Sequence, residues 1–198
     1  MDAALAILEF NLLFILLLPR LFFRNPDGRH SLMWFVTAAP SLPCAGALAL
    51  AAGGALEPAW AGGRPREALL ALGGFCGAGS CALIGLTPGT RRTPLARWHQ
   101  DNDAPRRIVT YGAYKHIRHP FYTSFSICLA GAALALPHPA TIACLVYGAL
   151  ALNHTASREE PRLSASEFGA AYRAYKARTG RFLPRLGAAA GAGAEVGA

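Results

Sequence analysis

A chain of 198 residues that is 53% hydrophobic and only 15% charged departs from the roughly 25% charge of an ordinary soluble domain. Its apolar residues come in blocks rather than at amphipathic spacing, which argues against a water-soluble globule and for an all-α integral membrane bundle. The formal charge of +8 reflects which side of a membrane the basic residues occupy, so no nucleic-acid partner is expected.

Residues 3–23 form the first block, about 31 Å long as a helix and enough to cross a hydrocarbon core. The block is too long for a signal-peptide core and no small-residue cleavage site follows it, so a retained span is expected. Glu9 and Asn11 interrupt it and are expected near the outer interface or bonded to a neighbouring helix. Arg20, Arg24 and Arg29 close the span around the turn signal Asn25-Pro26-Asp27-Gly28. Residues 32–52 make a second span, which Pro40 and Pro43 should kink, and residues 53–65 make a short external loop. Residues 68–86 make a third, where Gly73, Gly74, Gly77, Gly79 and Ser80 would let another helix approach closely.

Residues 87–119 are a long, proline-containing cytoplasmic segment with no sustained apolar period, a kind of loop that tends to be functional or disordered. Residues 121–136 and 140–156 are short fourth and fifth spans joined by Pro137-His138-Pro139. A hairpin crosses twice and returns to the same face, so Arg118 and His119 should lie near Arg158, Glu159 and Glu160. Ser164-x-x-Glu167 reads as a capping box. It would open a C-terminal amphipathic helix on the cytoplasmic surface, with Phe168, Tyr172 and Tyr175 on one face. The Ala/Gly tail, 187–198, has nothing to bury and is expected to be disordered.

The expected fold is a bundle of about five transmembrane helices. Residues 1–86 form a three-span scaffold, 87–186 a cytoplasmic loop, hairpin and terminal helix, and 187–198 a tail. With the N-terminus outside and the C-terminus cytoplasmic, only Arg64 and Arg66 of the 19 basic residues fall outside, which is the positive-inside pattern. That face would also attract anionic lipid headgroups. The location that fits is a bacterial inner membrane, crossed several times. The five cysteines lie in apolar runs without a Cys-x-x-Cys pair, so they read as packing residues. His116-x-x-His119 lacks the further ligands of a metal site.

Gly112-x-Tyr114, Arg118-His119-Pro120-x-Tyr122, a hairpin, Glu159-Glu160, then Phe168-Gly169-x-x-Tyr172-x-x-Tyr175 and Pro184 resemble the isoprenylcysteine carboxyl methyltransferase family. That family is one of several groups of small membrane methyltransferases that include phospholipid N-methyltransferases. The resemblance covers about residues 106–186 and implies an S-adenosylmethionine pocket at the cytoplasmic end of the last two spans, open to a lipophilic or lipidated acceptor from the membrane. It implies cofactor-binding roles for Tyr114, Arg118, His119, Pro120, Tyr122, Glu159 and Glu160. Ser124 stands where the family usually has glycine, Ala113 where it usually has proline, and one extra residue lies between Glu160 and Phe168.

The residue types suit such a ligand on their own chemistry. Arg118 could pair with its carboxylate, and His119 could bond its amino-acid portion. Glu159 or Glu160 could accept from the amine or ribose hydroxyls, and Tyr114 or Tyr122 could turn a ring face to the sulfonium. A carboxylate acceptor is already ionised and needs no general base, whereas an amine acceptor must shed a proton. An isoprenylcysteine-type carboxylate is the first expectation, a phospholipid amine or other small molecule the second. A non-catalytic membrane protein that retains the fold is the alternative of another class; a nicotinamide-dependent membrane reductase would need a larger bundle.

Overall fold

A computed structural model describes residues 2–22, 35–37, 39–59, 64–90 and 108–185. Within them lie six α-helices: α1 (Ala3–Phe22), α2 (Ser41–Ala52), α3 (Arg64–Thr90), α4 (Pro120–Ala135), α5 (Pro139–Ala165) and α6 (Gly169–Arg178). A 3-10 turn, Gly112–Lys115, precedes α4. Among the described residues there is no strand, only a parallel bridge between Ile117 and Gly180. The basic segment 91–107 and the tail 186–198 lie outside the described residues.

Two stretches, Phe35–Ala52 and Pro65–Thr87, are long and apolar enough to cross a membrane, and α1 and α4 carry shorter apolar stretches. The outward faces of α1, α2, α3 and α5 carry Phe10, Leu42, Phe75, Leu86 and Leu150 in the open, whereas α4 is enclosed by its neighbours. An apolar exterior of this extent suits lipid rather than water.

Small residues set the helix spacing. A Cβ added to Gly73 of α3 would lie 2.6 Å from the Gly131 carbonyl of α4, and one on Gly131 would meet Cys76 Cβ at 2.8 Å. The two backbones therefore approach as only glycine permits. Ser80 Oγ donates to the Ser124 carbonyl at 2.6 Å across the same interface. Asn11 bonds a neighbouring helix as expected, its Nδ2 donating to the Gly77 carbonyl at 3.3 Å. Cys44, Cys128 and Cys144 are buried, matching their reading as packing residues.

Two sequence expectations need correction, both at α5. Pro40, by contrast, interrupts the second span as expected: it is the N-cap of α2, in a turn at residues 39–40 between the helical residues 35–37 and α2. Pro43 then falls in the first turn of α2, where its missing N–H costs no hydrogen bond. The fifth apolar run is only the first part of α5, which continues through Pro161 to Ala165. The capping box at Ser164 does not form, because Ser164 lies in the last turn of α5 and its Oγ donates to the Glu160 carbonyl at 2.8 Å. The capping box that does form is at the hairpin tip. His138 Nδ1 accepts from the Ala140 N–H at 3.2 Å, and Thr141 Oγ1 accepts from the His138 N–H at 3.4 Å.

The length difference within the hairpin places the site. α4 has 16 residues and α5 has 27, so α5 runs about 40 Å against about 24 Å. Its overhang carries Glu159 and Glu160 beyond the start of α4, to the level of Arg118 and His119. The opposite end is pinned by Ala59 N–H donating to the Pro137 carbonyl at 2.8 Å.

Candidate functional site

Glu160 is the centre of this end of the molecule. Its side chain is 1% exposed, and a buried carboxylate must be paired or it becomes neutral. Arg118 Nε donates to Oε1 at 2.9 Å. Arg181 grips both oxygens, Nε to Oε1 at 3.1 Å and Nη2 to Oε2 at 3.0 Å. Lys176 Nζ lies 3.0 Å from Oε2. His119 Nε2, at 3.6 Å from Oε1, is within electrostatic range but beyond hydrogen-bond reach. Burial alone would raise the Glu160 carboxyl; the contacts from His119, Arg181, Lys176 and Arg118 outweigh it and hold the group well below the usual carboxylate range.

Three elements deliver these groups. His119 is the N-cap of α4 and Pro120 its first residue, where proline's fixed φ suits a helix start. This anchors Arg118 and His119 at the lip of α4. Tyr172 and Tyr175 are buried on one face of α6, as the spacing predicts, while Phe168 is its N-cap. Tyr175 OH donates to the Tyr114 carbonyl at 2.7 Å, so α6 rests on the 3-10 turn. The chain after α6 then runs beside the lip of α4. Arg118 N–H donates to Gly180 O at 2.9 Å, and His119 N–H to Arg181 O at 3.1 Å. Gly180 allows the tight bend, since a Cβ there would lie 1.6 Å from the Leu183 carbonyl oxygen.

The hairpin therefore brings Arg118, His119, Tyr122, Glu159 and Glu160 together as expected. Tyr122 OH donates to Glu159 Oε1 at 2.7 Å, and its ring stacks on His119 at 5.2 Å and 2°. Glu159 Oε2 lies 3.6 Å from His119 Nδ1. Tyr114 is buried in the 3-10 turn and Pro120 at the start of α4; Arg158 is exposed. Arg118 spends its guanidinium internally, on Glu160 and, through Nη1, on the carbonyls of Thr179 and Lys176. It thereby caps the C-terminal end of α6, a favourable place for a cation. Ser124, buried, donates its Oγ to the Phe121 carbonyl one turn back at 2.7 Å.

Lys176 and Arg181 join the site although the sequence marked them only as basic residues of the cytoplasmic side. Nothing in their spacing from Glu160 signals the contact, which depends on the chain turning back after α6.

The centre holds three permanent cations, Arg118, Lys176 and Arg181, against two carboxylates, Glu159 and Glu160. It also holds two buried polar atoms with no hydrogen-bond partner, His119 Nε2 and Tyr172 OH. Burial, and after it the nearby Glu160 charge, push the Tyr172 phenol up to about 12, so it is a neutral donor. One surplus positive charge and two idle polar atoms fit a small ligand that carries a carboxylate and further hydrogen-bonding groups.

No curated protein and no solved structure matches the chain. A model of the isoprenylcysteine carboxyl methyltransferase family matches residues 100–164, about a third of the sequence, and this region holds Arg118-His119, the hairpin and Glu159-Glu160. The family that the motifs resemble is the family that this region matches, and it is a family of membrane methyltransferases.

Proposed function

We propose that the protein is a membrane-embedded methyltransferase that transfers the methyl group of S-adenosylmethionine to a lipophilic acceptor, a carboxylate of isoprenylcysteine type. The observation that carries this reading is the meeting of Arg118-His119 with Glu159-Glu160 at one end of the hairpin, inside the region that matches the family.

The cofactor supplies an activated methyl group on a sulfonium. The chain's own residues would bind and orient it. Lys176 is half-exposed and shares its ammonium with one carboxylate oxygen, so it has donors left for a ligand carboxylate. His119 Nε2 and Tyr172 OH have hydrogen-bonding capacity to give. Glu159, 30% exposed, can accept from an amine or a ribose hydroxyl, and the Tyr122 hydroxyl holds it in place. Arg118 acts one step back, fixing Glu160 and the end of α6. Alignment and water exclusion account for much of the rate in a displacement whose nucleophile is already ionised. The apolar exterior of α5, with Val146, Tyr147 and Leu150, would admit the acceptor's hydrocarbon from the membrane.

Two measurements test the reading. Equilibrium dialysis of labelled S-adenosylmethionine against detergent-purified protein should show saturable binding that Glu159→Ala weakens; absence of binding to folded wild type refutes it. Label should then pass to a prenylated cysteine analogue in liposomes. Label found only in headgroup amines would move the acceptor to the phospholipid class, and binding without transfer to any lysate component would indicate a non-catalytic protein.

A further inference from the structure

The Arg181 side chain makes four hydrogen bonds in this centre, against three for Arg118, the arginine that the motifs supplied. Its Nε and Nη2 take the two oxygens of Glu160, and its Nη1 donates to Asn153 Oδ1 at 2.9 Å and to Ser157 Oγ at 3.0 Å. Asn153, Ser157 and Glu160 are spaced i, i+4, i+7, so one guanidinium staples two turns of a single α5 face. The Arg181 carbonyl meanwhile accepts the His119 N–H. Its neighbours extend the contact. Thr123 Oγ1 donates to the Phe182 carbonyl at 2.9 Å, and the Phe182 ring lies against His119 at 6.0 Å and 53°.

We propose that residues 179–182 are a strap across the cofactor pocket and that Arg181 is its latch, a positioning residue that sets the Glu160 carboxylate and the His119 backbone for the ligand. This rests on the methyltransferase reading above. Charge neutralisation alone does not explain Arg181, because Arg118 and Lys176 already face Glu160. What Arg181 adds is direction: a planar fork fixes both carboxylate oxygens, which an ammonium cannot do. Holding the acceptor oxygens in one orientation before the ligand arrives lowers the ordering cost of binding.

The test uses full-length protein in detergent and five forms besides wild type: Glu160→Gln, Arg181→Gln, Arg181→Lys, Glu160→Gln with Arg181→Gln, and Asn153→Ala with Ser157→Ala. Arg181→Gln should weaken S-adenosylmethionine binding about tenfold or more, and Arg181→Lys, which keeps charge without the fork, should recover less than half of that loss. In the Glu160→Gln background Arg181→Gln should change affinity less than about twofold, because it acts through Glu160. Equal losses in both backgrounds, or full rescue by lysine, overturn the positioning role. Asn153→Ala with Ser157→Ala leaves the ion pairs intact and should weaken binding about threefold; unchanged affinity there counts against the latch. Hydrogen exchange without ligand separates this inference from the methyltransferase reading. Arg181→Gln should speed exchange of the Arg118 and His119 amides about tenfold while leaving α1 to α3 unchanged. Unchanged exchange at those two amides overturns the strap, whether or not wild type binds the cofactor.

Discussion

Replacing Glu160 by alanine should destabilise the protein more than any other single truncation at this end of the bundle. The change removes the anion that contacts Arg118, Arg181 and Lys176 together, leaving three cations facing one another at the lip of α4. Removing one partner of a buried ion pair costs about 3–5 kcal/mol. For a chain of this size each kcal/mol lowers the melting temperature by about 2–4 °C, so the expected drop is about 6–20 °C. Glu160→Gln keeps the shape and one acceptor oxygen but turns an amide donor toward cations, and should lose about half as much. Circular dichroism at 222 nm during heating in detergent at neutral pH measures both. A melting temperature for Glu160→Ala within about 2 °C of wild type would show that the cations are solvated and that the centre is not structural. The pH dependence has a definite sign. The folded-state carboxyl lies below its ordinary value of 4.5, so its stabilisation is fully present above that value and is lost as the pH falls below it. The gap between wild type and Glu160→Ala should therefore stay level between about pH 6 and 8 and narrow only in acid.

Three further outcomes follow from the geometry. Gly180→Ala forces the strap away from its path, since the added Cβ would sit 1.6 Å from the Leu183 oxygen; cofactor affinity should fall about tenfold or more by dialysis, and wild-type affinity would show that the bend is dispensable. Tyr122→Phe removes a 2.7 Å hydrogen bond to the half-buried Glu159 carboxylate; it should cost about 1 kcal/mol in thermal unfolding but weaken binding, and equal binding would place Glu159 outside the pocket. Ser124→Gly restores the residue usual in the family, yet Ser124 Oγ bonds within its own helix; the variant should lose about 0.5 kcal/mol of stability from helix propensity without gaining affinity.

The meeting of Arg118 with Glu160 was legible because a two-crossing hairpin with a tight Pro-His-Pro joint returns its ends to one side whatever the helices do between. The extent of α5 was not legible. Arg158, Glu159 and Glu160 end the apolar run, and Pro161 suggests a break, but the buried ion pairs keep the helix going past both. The second span was legible in part: Pro40 marks the interruption before α2, whereas Pro43 falls within the first turn of that helix. Lys176 and Arg181 could not be assigned from sequence. Their contacts exist only after α6 docks through Tyr175 on the Tyr114 carbonyl and Gly180 turns the chain back, and neither event has a local periodic signature.

The strap also sets an order of assembly. Synthesis runs from N- to C-terminus, so Arg118 and Glu160 leave the ribosome before Lys176 and Arg181. Until the last turn of α6 and the segment beyond it emerge, Glu160 has a single guanidinium partner and the amides of Arg118 and His119 lack their carbonyls. The site is thus finished last, and a chain cut short before Arg181 would keep the Arg118–Glu160 pair but lack the fork that fixes both carboxylate oxygens.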